Sequence, residues 1–232
     1  MHIPDGFING GTSLAGGGLA AGGIAISLRQ AAKTLDERRV PIAGLAASFI
    51  FAAQMLNFPV AGGTSGHLLG GVLAAVLVGP WAGALCVSVV LLVQGLLFAD
   101  GGLSALGLNI INMAFVGAFA AYGIFLAIRW VLPARQSSVV VASGIAAGLA
   151  PVLAAGMFTV EYAIGGNGAA SVGTVAVAMF GVHVLIGIGE GVITAMTISA
   201  VLASRPDLVH GAARLQRRAT LPVAPTLQPV GS

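Results

Sequence analysis

Pro59-Val60-Ala61-Gly62-Gly63-Thr64-Ser65-Gly66 leads straight into an apolar run at 67–78, which opens on His67 and is ended by Gly79-Pro80. As a helix, that run reaches roughly 18 Å at about 1.5 Å per residue, well short of a hydrocarbon core about 30 Å thick. Whether the shortfall matters depends on the solvent. The 232 residues are 57% hydrophobic and only 7% charged, with a mean hydropathy of +1.01. Soluble domains carry about 25% charged residues, so this chain could not cover a water-facing surface. It reads as an integral membrane protein. The Gly-rich stretch before His67 must then dip below the outer interface as irregular backbone, which survives at that depth only when protein buries it or it lines a cavity. His67 is expected to start a broken helix sunk beneath the outer surface.

Outward from that stretch, the hydropathy pattern predicts seven spans, at about 12–28, 40–56, 67–78, 80–99, 104–131, 139–162 and 171–202. The expected fold is an all-α seven-helix transmembrane bundle with a re-entrant loop before a short third helix. Orientation follows from the basic residues. Arg29, Lys33, Arg38 and Arg39 follow span one, Arg129 and Arg135 follow span five, and Arg205, Arg214, Arg217 and Arg218 lie beyond span seven. Seven spans put all ten on one side, whereas six or eight would mix them with the other loops. The N-terminus is therefore expected outside and the C-terminus in the cytoplasm. The expected organisation is a membrane domain over 1–203 and a cytoplasmic, mostly disordered tail over 204–232, rich in proline and arginine.

Several classes fall away. The lone Cys86 can form no internal disulfide and reads as a packed thiol. The pI of about 9.8 comes without aromatic interleaving, so nucleic-acid binding has no support. No Lys or Arg precedes the first span, which argues against a cleavable signal peptide. No Walker A pattern occurs, so ATP hydrolysis would have to come from partners, and no H-E-x-x-H points to a zinc protease.

The first residues, Met1-His2-Ile3-Pro4-Asp5-Gly6, carry the sharpest chemistry. An α-amine and an imidazole sit one peptide apart, and the intervening His2 amide nitrogen would close two fused chelate rings once a metal displaces its proton. Three nitrogen donors then come from two residues, one short of a square plane. His67 is a fair fourth. Nitrogen-rich planar donation suits Ni(II), Cu(II) or Co(II) better than Zn(II) or Mg(II). Each histidine alone has a blander reading, as a frayed terminal residue or a helix-cap group.

Those residues, with Asn57-Phe58-Pro59, Gly63-Thr64-Ser65-Gly66-His67-Leu68-Leu69-Gly70, Gly79-Pro80-Trp81, Phe98-Ala99-Asp100-Gly101-Gly102, Asn109-Ile110-Ile111-Asn112-Met113 and Gly187-Ile188-Gly189-Glu190-Gly191, resemble the CbiM/NikM family. These are the substrate-capture (S) components of energy-coupling-factor importers for cobalt and nickel. The resemblance runs from Met1 to about Leu202. It implies a seven-helix bundle that holds Co(II) or Ni(II) through the Met1 amine, the His2 amide nitrogen, the His2 imidazole and the His67 imidazole. The ion is cargo, with no catalytic cofactor. The implied partners are a transmembrane coupling (T) subunit and ABC-type ATPases, with room for a small accessory membrane subunit. Cobalt taken up this way would serve cobalamin biosynthesis. An alanine face such as Ala43-x-x-x-Ala47 docks against the T subunit in S components generally.

Other polar residues inside spans have two readings each. Gln94, Asn109 and Asn112 are either hydrogen-bond glue between helices or supports that orient His67 and the Met1–His2 backbone, and Ser65 joins them. His183 and Glu190 lie two turns apart on one face, and a structural pair is the favoured reading. Asp100 and Glu161 read as solvated helix ends, and His210 is assigned nothing. The rival from another class is a rhomboid-like intramembrane serine protease with Ser65 and His183 as its dyad, since Gly63-Thr64-Ser65-Gly66 spells G-x-S-G. That motif is weak in a chain with 35 glycines, and the serine precedes an early short span. An autonomous metal permease is a third reading, separable by uptake without partner subunits.

Overall fold

The computed structural model describes residues 1–60, 64–213 and 215. Its helices are α1 (Gly10–Thr34), α2 (Val40–Gln54), α3 (Gly71–Val78), α4 (Pro80–Leu97), α5 (Leu106–Val131), α6 (Gln136–Gly165) and α7 (Val172–Ser204). Five of them, α1 and α4 to α7, are long and apolar enough to cross a membrane. The protein is accordingly a mostly helical, multi-pass membrane protein. Leu14, Leu19, Trp130, Val177 and Leu185 point away from the rest of the chain, each more than two-thirds exposed, as lipid-facing side chains would. Helix starts follow local chemistry. Asn9 Oδ1 accepts from the Thr12 amide at 2.9 Å, and Ser171 Oγ accepts from the Thr174 amide at 3.1 Å, satisfying N–H groups that have no partner inside the helix.

α3 is the axis of the bundle. All eight of its residues are buried. It is bracketed by two left-handed glycines, Gly70 at φ 76° and Gly79 at φ 95°, a conformation that costs other residues strain. Gly70 has a second reason to lack a side chain, because a Cβ there would sit 2.6 Å from Ile50 Cγ1 of α2. The helix therefore starts at Gly71, and His67 lies four residues ahead of it in irregular backbone rather than at its first turn. The shortfall read from the sequence is real and slightly larger than expected, since eight residues span about 12 Å.

Before α3, strands β1 (Phe58–Pro59) and β2 (Ser65–Gly66) form a small antiparallel pair, Phe58 opposite Gly66 and Pro59 opposite Ser65. The segment before α3 thus satisfies part of its backbone internally. α5 contains a π-helical stretch, Ile111–Ala121, that packs against α3. Such stretches frequently mark functional positions within helices. At the opposite end of α3, Val209 is fully buried and the turn His210–Ala212 packs beneath the helix, with Gly211 against Phe125 and Val76. His210 Nδ1 lies 3.2 Å from Arg39 Nη1. The expected disorder of the tail falls mainly on 214 and 216–232, outside the described residues.

Candidate metal site

The leading residues are held along their whole length. The carbonyl of Ile3 accepts from the Gly102 amide at 2.8 Å, and its amide donates to Asn109 Oδ1 at 2.7 Å. Asn109 Nδ2 also reaches the Ile3 carbonyl at 3.3 Å. His2 bridges Ser65 as a short antiparallel pair, and Ile8 bridges Gly166. Further on, the Asn9 amide donates to the Gly165 carbonyl at 2.7 Å and the Asn167 amide to the Phe7 carbonyl at 3.0 Å. The Phe7 ring packs on Phe158 and Tyr162. Asp5 Oδ1 accepts from both the amide and the hydroxyl of Ser104. Met1 and Ile3 have no exposed surface at all.

This docking brings the predicted donors together. His2 Nδ1 lies 3.1 Å from His67 Nε2, with ring centroids 4.6 Å apart and a 39° tilt. The tautomers follow from the partners. His67 Nδ1 sits 2.7 Å from the Leu68 carbonyl, which can only accept, so Nδ1 carries the proton and Nε2 presents a lone pair toward His2. A neutral ring fixed through its other nitrogen is the arrangement metal-binding histidines adopt. His2 Nδ1 faces both that lone pair and Asp100 Oδ1, the latter at 3.2 Å, so it holds a proton that an ion entering between the rings would displace. Burial takes the Met1 amine down to about 4, against the attraction of Asp100 and Glu190, which leaves a neutral amine at pH 7. Burial also lowers the His2 imidazole, opposed by its hydrogen bond to Asp100. No group of three or more His, Cys, Asp or Glu side chains suited to a metal occurs among the described residues.

Around these donors the polar residues sort differently from the sequence reading. Asn109 grips the Ile3 backbone, as the sharper reading required, but Asn112 does not reach the leading segment. Its Nδ2 donates to Glu161 Oε2 at 2.7 Å, which makes Glu161 a buried partner rather than a solvated helix end. Asp100 is likewise no free end, since it meets His2 and accepts from Asn57 Nδ2 at 3.2 Å. The expected His183–Glu190 pair does not form. His183 Nδ1 donates to the Met179 carbonyl one turn back, at 2.7 Å. Glu190 instead accepts from the Leu69 and Gly70 amides at 2.7 and 2.9 Å, holding the turn that follows His67. Gln94 is fully buried beside His2, and neither its amide atoms nor His2 Nε2 has another partner among the described residues. Ser65 lines an open vestibule of about 300 Å³ with His2, Asp5 and Asp100. With His183 turned to Met179, no Ser65–His183 hydrogen bond exists among the described residues.

Sequence reasoning missed Asp100 as a neighbour of His2 and missed Gln54 altogether. Gln54 is fully buried and donates from Nε2 to the Leu69 carbonyl at 2.7 Å. The available signal was a polar amide in the last turn of an apolar span, which is costly without a partner.

Comparisons with known proteins agree with this picture. A family model described as the cobalt uptake substrate-specific transmembrane region, CbiM, matches residues 2–208. A putative metal transport protein of Haloquadratum walsbyi is 39% identical over 212 residues, covering 90% of this chain and 93% of that one. The cobalt transport protein CbiM of Sorangium cellulosum is 33% identical over 217 residues, covering 90% and 94%. A putative fused nickel transport protein NikMN of Archaeoglobus fulgidus is 39% identical over 210 residues, with 68% of its own length covered. A crystal structure of a transition metal transporter superposes with a TM-score of 0.81 at 28% identity, covering 95% of this chain and all of that one.

Proposed function

The chain belongs to the CbiM family of cobalt and nickel transport proteins, and from that premise we propose that it captures Co(II) or Ni(II) as the substrate-binding membrane subunit of an ATP-driven importer. The donors are the Met1 amine, the His2 amide nitrogen, His2 Nδ1 and His67 Nε2. The observation that carries this reading is the convergence of His2 Nδ1 and His67 Nε2 at 3.1 Å beside a wholly buried Met1. When the ion takes His2 Nδ1, the proton held there shifts to Nε2, where the Gln94 amide oxygen can accept it. Asp100, at the vestibule, is placed to draw a hydrated cation toward the rings.

Seven spans, with the N-terminus outside, fit the basic-residue distribution. The Arg39–His210 contact supports it by joining the segment after α1 to the segment after α7 at one end of the bundle. Energy would come from ABC-type ATPases through a T subunit, with a small accessory membrane subunit accommodated. Cobalt delivered this way would feed cobalamin biosynthesis. Residues 1–203 form the capture domain and 204–232 a cytoplasmic extension.

Isothermal titration of the purified protein with NiCl2 or CoCl2 tests the reading. One ion per chain is expected, together with release of about one proton at pH 7. The amine and His67 Nε2 are already unprotonated and the His2 Nδ1 proton moves within the ring, so the His2 amide proton is the one lost. No heat and no proton release for either ion would reject the site.

α2 is the proposed docking element for the T subunit. Ala43 and Ala47 are half-buried beside α4, the Ala43 carbonyl accepts from Cys86 Sγ at 3.4 Å, and Ala47 lines a groove between α2 and α4. Substituting leucine at both positions is expected to lower recovery of the complex in a pull-down with coexpressed partners by tenfold or so, since close approach of helices needs small residues. Undiminished recovery would move the docking face elsewhere.

A further inference from the structure

The turn that carries His67 is suspended between two helices that do not otherwise share its contacts. On one side, Glu190 of α7 accepts from the Leu69 and Gly70 amides. On the other, Gln54, the last residue of α2, donates to the Leu69 carbonyl at 2.7 Å, and Ile50 one turn earlier packs on Gly70. Both polar groups of Leu69 are therefore held, two residues from His67, by side chains from two different helices. The His67 ring itself meets the neighbouring Leu68 carbonyl at 2.7 Å and His2 Nδ1 at 3.1 Å.

We propose that Gln54 is a positioning residue for His67, tying the metal-bearing turn to α2 and making the ring's placement depend on where α2 sits. The inference rests on the capture reading above for its consequence, though not for its geometry. Gln54 is fully buried, its Oε1 has no partner among the described residues, and its reach is spent on one carbonyl. Helix α2 also bears Ala43 and Ala47, about two to three turns away along the same helix. A partner that tilts α2 would thus pull on Leu69 and move His67 away from His2, without touching the donors themselves. Coupling of this kind runs through a contiguous chain of packed groups, here α2, Gln54, Leu69 and His67.

Gln54→Leu tests the tie, because it leaves an apolar side chain of comparable bulk while removing the donor. In the metal-free protein, hydrogen exchange at the Leu69 and Gly70 amides is expected to accelerate at least tenfold, with exchange in α6 and α7 away from Glu190 unchanged. In the titration above, affinity for Ni(II) or Co(II) is expected to fall about 10- to 100-fold, the range seen when groups that orient metal ligands are removed. The rise in melting temperature on adding metal should shrink with it. Leu45→Ala, an exposed position on the same helix, serves as the control and should leave affinity within about twofold. If Gln54→Leu does not fold, Gln54→Met offers a more adaptable stem with the same loss. Unchanged exchange at Leu69 and Gly70 overturns the positioning role whether or not the wild-type protein binds metal. Faster exchange with unchanged affinity overturns its link to His67. Absence of binding by the wild type rejects the capture reading, and the exchange result still decides the tie.

Discussion

One residue added ahead of Met1 is expected to abolish capture of Co(II) and Ni(II), with affinity down on the order of a thousandfold or about 4 kcal/mol. The reasoning is chelate geometry. The α-amine, the His2 amide nitrogen and the His2 imidazole form two fused rings only while the amine belongs to the residue directly before His2. An added residue converts that amine into a second amide and moves the free terminus one position out. Space works against it as well, because Met1 is wholly buried and its segment is pinned through Ile3 to Gly102 and Asn109. Metal analysis of purified protein with the native and the extended terminus reads the effect. The hydrogen bonds from Ile3 onward do not involve the amine, so the melting temperature without metal should change much less than the affinity. Stoichiometric metal in the extended protein would exclude the amine as a donor.

Glu190→Gln is expected to cost the next most. The carboxylate receives two main-chain N–H groups, and hydrogen bonds to a charged acceptor contribute about 1.5–3 kcal/mol each. Glutamine can offer an oxygen to only one of the two, so the other N–H faces an NH2 group in a buried site. Affinity should drop about 10- to 100-fold, and the melting temperature without metal should fall by several degrees. Glu190→Asp, which keeps both oxygens on a shorter stem, should recover part of each. Equal losses for the Asp and Gln variants would show that volume, not the paired acceptor, is what the turn needs.

Much of this molecule was legible in its sequence because membrane helices announce themselves by hydropathy. α1 and α4 to α7 lie where the apolar runs are, within a few residues. The approach of the His2 and His67 rings was anticipated too, from the chemistry of an amine next to an imidazole and from a run too short to cross. The position of His67 ahead of the helix was not, because the Gly-rich stretch has no periodicity and Gly70 breaks the helical register by its positive φ. Partners across the bundle were also hidden. Glu190 and His183 share a helical face, yet each finds a main-chain group nearer than the other. Asp100 and Glu161 looked solvated because their sequence neighbours mark helix ends, whereas His2 and Asn112 come from elsewhere in the chain to meet them.

The turn beneath α3 has a consequence for traffic through the protein. With Val209 and Ala212 buried under a helix whose every residue is enclosed, that end of α3 is closed by packed side chains, whereas the vestibule beside His2 is open. On the proposed reading, an ion held between His2 and His67 would meet packed side chains below it rather than an open channel, and onward delivery would need the helices to part.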